Sequence, residues 1–298
     1  MTDHTDPLTR ALDSLAGLAA GDAFGAQYFV PESRAVFAAQ GLPPGPWPWT
    51  DDTEMACSVV AVLREHGAAD QDALAHSFAH RHDFDRGYGP AMNRMLRLTR
   101  EGGDWRELAA GLFEGQGSYG NGAAMRVAPL GAWFAGDVAA AAREAARSAE
   151  VTHTHPEAVA GAVAVAVAAA VAAGSRGQEP DVAQWLGAAL ELTPAGRVRG
   201  GVAEALELTS QRDPEYAGHR LGNGRRTSAV DTVPFTLWCA ATHPDDLEGA
   251  LRACAAAGGD VDTTCAIVGG ILAARLGAGA VPGRWKQLVE ALPEWVGR

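Results

Sequence analysis

The chain of 298 residues is poor in cysteine and in positive charge. Its four cysteines, Cys57, Cys239, Cys254 and Cys265, form no C-x-x-C pair, and each lies in an apolar, helix-like stretch. They read as reduced, buried thiols of a cytoplasmic protein. Formal net charge is −12 and pI about 5.2. No basic stripe is present to neutralise phosphates or anionic headgroups, so neither nucleic-acid nor membrane-surface binding is expected. The opening MTDHTDPLTR has no basic stretch followed by an apolar one, so a secretory signal is not expected. The most apolar run, Ala158 to Gly174, is built from Ala and Val; it falls short of a bilayer span and reads as a buried core helix. Strand alternation with hairpin turns is missing, as are internal repeats and an interdomain linker.

What remains is helical periodicity almost throughout. Leu8, Leu12, Leu15, Ala16, Ala19 and Ala20 recur at helical spacing and run into Gly21-Asp22-Ala23. Met55, Val59, Val60, Val62 and Leu63 form a second amphipathic run. Further helices are predicted over 138–149, 158–173, 182–192, 198–208, 232–241, 247–256 and 265–276, the last apolar on most faces. The Ala-rich runs imply closely approaching helix axes. Gly41-Leu-Pro-Pro-Gly-Pro-Trp-Pro cannot be helical and delivers the chain to Thr50. The expected fold is all-α: one compact multi-helix bundle, with 1–298 forming a single domain.

Two acidic segments stand about 210 residues apart: Trp49-Thr50-Asp51-Asp52-Thr53 and Gly258-Gly259-Asp260-Val261-Asp262-Thr263. Each precedes an apolar helical run. Asp and Thr are preferred helix caps, and the helix dipole favours negative charge at that end by about 0.3–1 kcal/mol. One cap residue suffices, however, and a second carboxylate buried without a partner is costly. Neighbouring carboxylates also repel one another unless a cation lies between them. Four carboxylates and threonine hydroxyls are hard oxygen donors, suited to Mg²⁺ or Mn²⁺ rather than Zn²⁺.

Gly115-Gln-Gly117-Ser118-Tyr119-Gly120-Asn121-Gly122 precedes Ala123-Ala124-Met125-Arg126. Exposed amides at such a loop suit an anion, yet the spacing matches neither a Walker loop nor the dinucleotide fingerprint, and an ordinary loop fits as well. Phe113 and Tyr119 flank it and suit either a purine sandwich or the core. His153 and His155, two residues apart, face different sides of any helix, which argues against a shared ion.

Taken in order, these segments resemble the ADP-ribosylglycohydrolase family. The matching stretches are Gly17-x-x-x-Gly21-Asp22-Ala23-x-Gly25, Thr50-Asp51-Asp52-Thr53, Gly120-Asn121-Gly122-x-Ala124-Met125-Arg126, Thr152-His153 and Gly258-Gly259-Asp260-x-Asp262-Thr263. Arg86-Gly87-Tyr88-Gly89, Phe113 ahead of Gly117-Ser118-Tyr119-Gly120-Asn121, and Leu221-Gly-Asn-Gly followed by Val233-Pro234 resemble the branch acting on O-linked ADP-ribose, on serine or in poly(ADP-ribose). The resemblance implies an all-α bundle with a binuclear cleft holding two Mg²⁺ (or Mn²⁺). Thr50, Asp51 and Asp52 would ligate one ion, Asp260 and Thr263 the other, with Asp262 bridging. It also implies that Gly117, Ser118, Gly120 and Asn121 hold the diphosphate, and Phe113 and Tyr119 the adenine. Gly87, Tyr88, Gly89, Met125 and His153 would contact the rest of ADP-ribose.

Two positions depart from the family pattern. Val261 replaces a usual Thr or Ser. Phe29 stands where many members carry a Glu near the ions, which leaves Asp260 and the nearby Glu32 as the expected proton-transfer groups. The expected activity is metal-dependent release of ADP-ribose from modified proteins or conjugates, serine-type linkage favoured. Hydrolysis of N-linked ADP-ribosyl-arginine, a non-catalytic ADP-ribose-binding module and an unrelated metal phosphohydrolase are the alternatives.

Overall fold

Gly17, Gly21 and Gly25 recur every fourth residue and so leave one face of a helix bare. That helix, Pro7–Ala26, is capped by the Asp6 carboxylate and starts on a proline. Its bare face lies against the helix Val261–Leu276. A Cβ at Gly21 would stand 2.1 Å from the Cys265 carbonyl oxygen, and one at Gly25 2.5 Å from the Asp262 Cα. The two backbones therefore touch, which carries Asp22 of the first helix to the segment bearing Asp260 and Asp262.

A computed structural model describes residues 5–297. Met1 to His4, which open the segment inspected for a signal pattern, lie outside the described residues, as does Arg298. The fold is all-α. Among the described residues there is no strand, only two isolated bridges, Trp47 to Val289 and Gly120 to Ser228. The predicted helices appear as Val138–Glu150, Pro156–Gly174, Val182–Leu192, Arg197–Glu207, Ala229–Thr242, Leu247–Ala257 and Val261–Leu276. The last begins four residues before the expected Cys265, so Asp262 and Thr263 lie in its first turn. Ala229–Thr242 carries Pro234 inside it, and the ring packs where Gly201 leaves room for it.

Pro156–Gly174 needs a correction. Its 19 residues reach the length and apolarity of a membrane span, contrary to the expectation, but 78% of its most apolar window is buried inside the protein. The burial places it in the core, as expected. Ala162, Ala164, Val165, Ala166, Val167 and Ala169 are fully enclosed. All four cysteines are buried and unpaired.

Candidate active site

The proline-rich loop ends on a rigid platform. Trp47 exchanges backbone hydrogen bonds with Leu288 and Glu290, and Arg86 lies 3.5 Å over the Trp49 ring. The same guanidinium donates to both Glu290 carboxylate oxygens at 2.8 Å and to the Trp49 carbonyl at 2.9 Å. The C-terminal segment and the 83–89 loop thus fix the chain where it enters the helix Asp51–His66.

Asp22, fully buried, organises that helix start. Its carboxylate accepts the Thr50 amide (2.9 Å), the Thr50 hydroxyl (2.8 Å), the Thr53 amide (3.2 Å) and the Thr53 hydroxyl (2.6 Å). The Thr50 hydroxyl also lies 3.0 Å from Asp52 Oδ2. A hydroxyl has one proton, so it serves only one of the two carboxylates at a time. Sequence reasoning placed Asp22 in a matching motif and gave it no role. Its signal is a charge set between Ala19-Ala20-Gly21 and Ala23-Phe24, where a buried carboxylate is costly without partners.

The second acidic segment is held by two glycine-rich loops. The Asp260 amide donates to the Asn223 carbonyl at 3.0 Å, and Gly224 approaches so closely that a Cβ there would stand 2.4 Å from the Asp260 Cβ. Asn121 donates from Nδ2 to Asp260 Oδ2 at 2.7 Å and to the Thr232 hydroxyl at 3.1 Å. The glycine loop and the 221–224 loop thereby orient one carboxylate from two sides.

Asp51, Asp52, Asp260, Asp262 and Thr263 line one cleft of about 420 Å³, together with Gly87, Gly89, Met125, His153 and the loop 118–122. Burial, then Asp22, pushes the Asp51 carboxyl up to about 7. Burial is also the first cause holding Asp52 and Asp262 well above the carboxylate range, with Asp22 and Asp260 respectively next. Asp260 is raised by burial as well, against the Asn121 hydrogen bond. No three His, Cys, Asp or Glu side chains among the described residues stand as a group able to hold a metal ion. Two observations nonetheless fit a hard divalent cation: the donors are all oxygens, and the buried Asp52 Oδ1 has no partner.

The rest of the cleft is shaped by the turn before the glycine loop. Phe113 and Glu114 both have positive φ (52° and 61°), an uncommon backbone for bulky residues. It turns the exposed Phe113 ring to within 6.1 Å of the Tyr119 ring. The amides of Gly120 and Asn121 are engaged by the Ser118 hydroxyl and the Thr227 carbonyl. Those of Ser118 and Tyr119 have no partner among the described residues. His153 is buried against Thr152, 2.7 Å away, and burial followed by Arg126 pushes its pKa down to about 3, so its ring is neutral. His155 instead accepts the Glu157 amide and starts the next helix, in line with separate roles for the two histidines.

Four assigned residues sit differently from expectation. Glu32 is exposed and absent from the cleft, because Val30 and Pro31 turn the chain outward before the short helix Ser33–Ala38. Phe29, 53% exposed, instead lines a shallow cavity with Asp260, Gly224 and Arg225. Tyr88 turns inward, its hydroxyl donating to Glu54 at 2.6 Å, so only Gly87 and Gly89 of that loop face the cleft. Thr50 lies behind the cleft wall with its hydroxyl directed at Asp22. Gly117 packs on Thr154 rather than lining the cleft.

A family profile described as ADP-ribosylglycohydrolase matches residues 3–298. The chain belongs to the ADP-ribosylglycohydrolase family and is accordingly an ADP-ribosyl glycohydrolase. It is 31% identical to ADP-ribosylhydrolase ARH3 of Bos taurus, over 96% of this chain and 90% of that protein. The Homo sapiens ARH3 is 30% identical, over 96% and 91%. A solved structure titled ADP-ribosylglycohydrolase-related protein complex superposes with a TM-score of 0.64 at 29% identity, covering 96% of this chain and 93% of that one.

Proposed function

We propose that this enzyme hydrolyses O-linked ADP-ribose, serine-linked ADP-ribose being the favoured substrate, and that it requires two divalent cations, Mg²⁺ or Mn²⁺. The observation that carries the reading is the assembly, in one cleft, of Asp51, Asp52, Asp260, Asp262 and Thr263 beside a glycine loop and the Phe113–Tyr119 pair. The kinship with ARH3 supports the O-linked branch.

The cations would be held by Asp51 and Asp52 on one side and by Asp260 and Thr263 on the other, with Asp262 between. Thr50 donates its hydroxyl proton to Asp22, which leaves the oxygen lone pairs for a cation, although Thr50 is not among the residues lining the cleft. When bound, the cations supply Lewis acidity and lower the pKa of water. The protein's own residues do the rest. The free Ser118 and Tyr119 amides and the Ser118 hydroxyl suit a diphosphate, and Phe113 and Tyr119 suit an adenine ring. Carboxylates around the ribose stabilise the positive charge that builds on it as the glycosidic bond breaks. Asp260, fixed by Asn121 through Oδ2 and raised by burial, is the proton acceptor the structure favours. Glu32, exposed and not among the residues lining the cleft, is not assigned that role.

A second reading, ADP-ribose binding without turnover, draws on Phe29, which leaves the cavity beside Asp260 without a further carboxylate. Calorimetry with ADP-ribose and Mg²⁺, paired with a turnover assay on a serine-linked ADP-ribosyl peptide, separates the two. Binding with turnover supports the enzyme reading; binding without turnover supports the module.

A further inference from the structure

Tyr119 and Arg226 line both the cleft and a second cavity, of about 630 Å³, that contains none of the acidic-cluster residues. Tyr119 forms the partition: its ring has Phe113 at 6.1 Å and His155 at 5.9 Å. The second cavity is rich in cationic and neutral donors, namely Arg197, Arg220, Arg226, His155 and His219. That is unusual for a chain of net charge −12.

Two carboxylates, Glu157 and Asp231, also line this cavity, but both are engaged by the main chain. Glu157 accepts the Arg197 and Val198 amides at 2.7 and 2.9 Å, at the start of the helix Arg197–Glu207. Asp231 accepts the Arg226 amide at 2.8 Å. Arg220 is paired with Glu204 outside the cavity's lining. The guanidinium groups of Arg197 and Arg226, by contrast, have no partner among the described residues. Glu157 and Asp231 keep their charge but accept main-chain amides, so the exposed Arg197 and Arg226 are the guanidiniums at the cavity available to a phosphate-bearing group.

Resting on the reading that ADP-ribose occupies the main cleft with its adenine at Tyr119, we propose that the second cavity binds a phosphate group carried on the adenosine end of the ligand. Such a group has two sources: the following unit of an ADP-ribose polymer, or a 2′-phosphate on the adenosine ribose. The cavity has room for more than one phosphate, which favours the polymer. Filling it would let the enzyme engage an ADP-ribose unit that still carries another unit on its far side.

Calorimetry on the full chain with Mg²⁺ tests this, using ADP-ribose, ADP-ribose 2′-phosphate and an ADP-ribose dimer whose linking glycosidic oxygen is replaced by a methylene so that it is bound but not cleaved. The expected result is binding of the dimer about tenfold tighter than ADP-ribose. Arg197→Ala should remove that gain while leaving ADP-ribose affinity within about twofold, because Arg197 is outside the main cleft. A gain for the 2′-phosphate alone assigns the cavity to that ligand instead of the polymer. Equal affinity for all three, or a dimer gain that survives in both Arg197→Ala and the Arg197→Ala/His219→Ala double variant, overturns the proposal while the main reading stands. Failure of ADP-ribose itself to bind overturns that reading, and the subsite with it. The thermal midpoint of each variant, expected to match that of the unmodified protein, confirms that folding is unaffected.

Discussion

The Thr53 hydroxyl and amide both donate to Asp22 Oδ2, at 2.6 and 3.2 Å, linking the first helix to the start of the helix Asp51–His66 across 31 positions of sequence. Asp22 is therefore a positioning residue: it sets where Asp51 and Asp52 point without lining the cleft itself. Asp22→Ala leaves four donors without their acceptor and is expected to destabilise the protein by about 2–4 kcal/mol. Asp22→Asn keeps part of the network and should cost less, while weakening Mg²⁺ binding. Urea unfolding with and without Mg²⁺ measures both.

The cation dependence of stability should vary with pH. The Asp51 carboxyl titrates near 7 in the folded protein, above its ordinary 3.8. Its protonated form is favoured by folding, so its contribution is fully present below 3.8 and is lost as pH rises through about 7. Asp52 and Asp262, both raised, act in the same direction. A divalent cation offsets that loss. Thermal denaturation should show a larger rise with Mg²⁺ at pH 8 than at pH 5, of roughly 5–10 °C at hundredfold excess over Kd. An equal rise at both pH values would contradict the cluster as the binding site.

The bare face of the first helix is structural. Gly21→Ala would put a methyl 2.1 Å from the Cys265 carbonyl oxygen, which belongs to helix backbone and cannot swing aside. A loss of about 3 kcal/mol or more is expected, with reduced soluble yield. Gly187→Ala, at a helical glycine with open space around it, should leave stability unchanged or slightly raised.

Phe29, and not Glu32, borders Asp260. Glu32→Gln should leave kcat within about twofold, because the side chain is outside the cleft. Phe29→Glu places a carboxylate in the cavity beside Asp260 and should raise kcat by about tenfold or more if proton transfer limits turnover. Asp260→Asn should lower kcat by about 100-fold or more. Steady-state kinetics on a single ADP-ribosyl peptide compares all three.

Much of this architecture was legible in the sequence, because it is local. Helical periodicity and caps place Val182–Leu192 and Val138–Glu150 within a residue of their expected bounds. The acidic and glycine-rich segments likewise announce oxygen donors and open amides. What the sequence left unread depends on contacts between distant segments. Asp22 acquires its role only where the start of the helix Asp51–His66 meets the helix Pro7–Ala26. The 221–224 loop acquires its role only where Asn223 meets Asp260. Tyr88 illustrates the converse: its motif matched, but Glu54, one turn into another helix, draws the side chain away from the cleft. Glu32 shows that three residues of sequence offset are enough, after a proline turn, to move a carboxylate away from the shallow cavity beside Asp260.

The central claim is that the two acidic segments form one cation-dependent site for O-linked ADP-ribose. The most direct measurement is ADP-ribose release from a serine-linked and an arginine-linked peptide, each with Mg²⁺ and after chelation. The account predicts release from the serine-linked peptide, lost on chelation and restored by Mg²⁺, and far slower release from the arginine-linked one. Release that persists in full after exhaustive chelation, or release confined to the arginine-linked peptide, would contradict it.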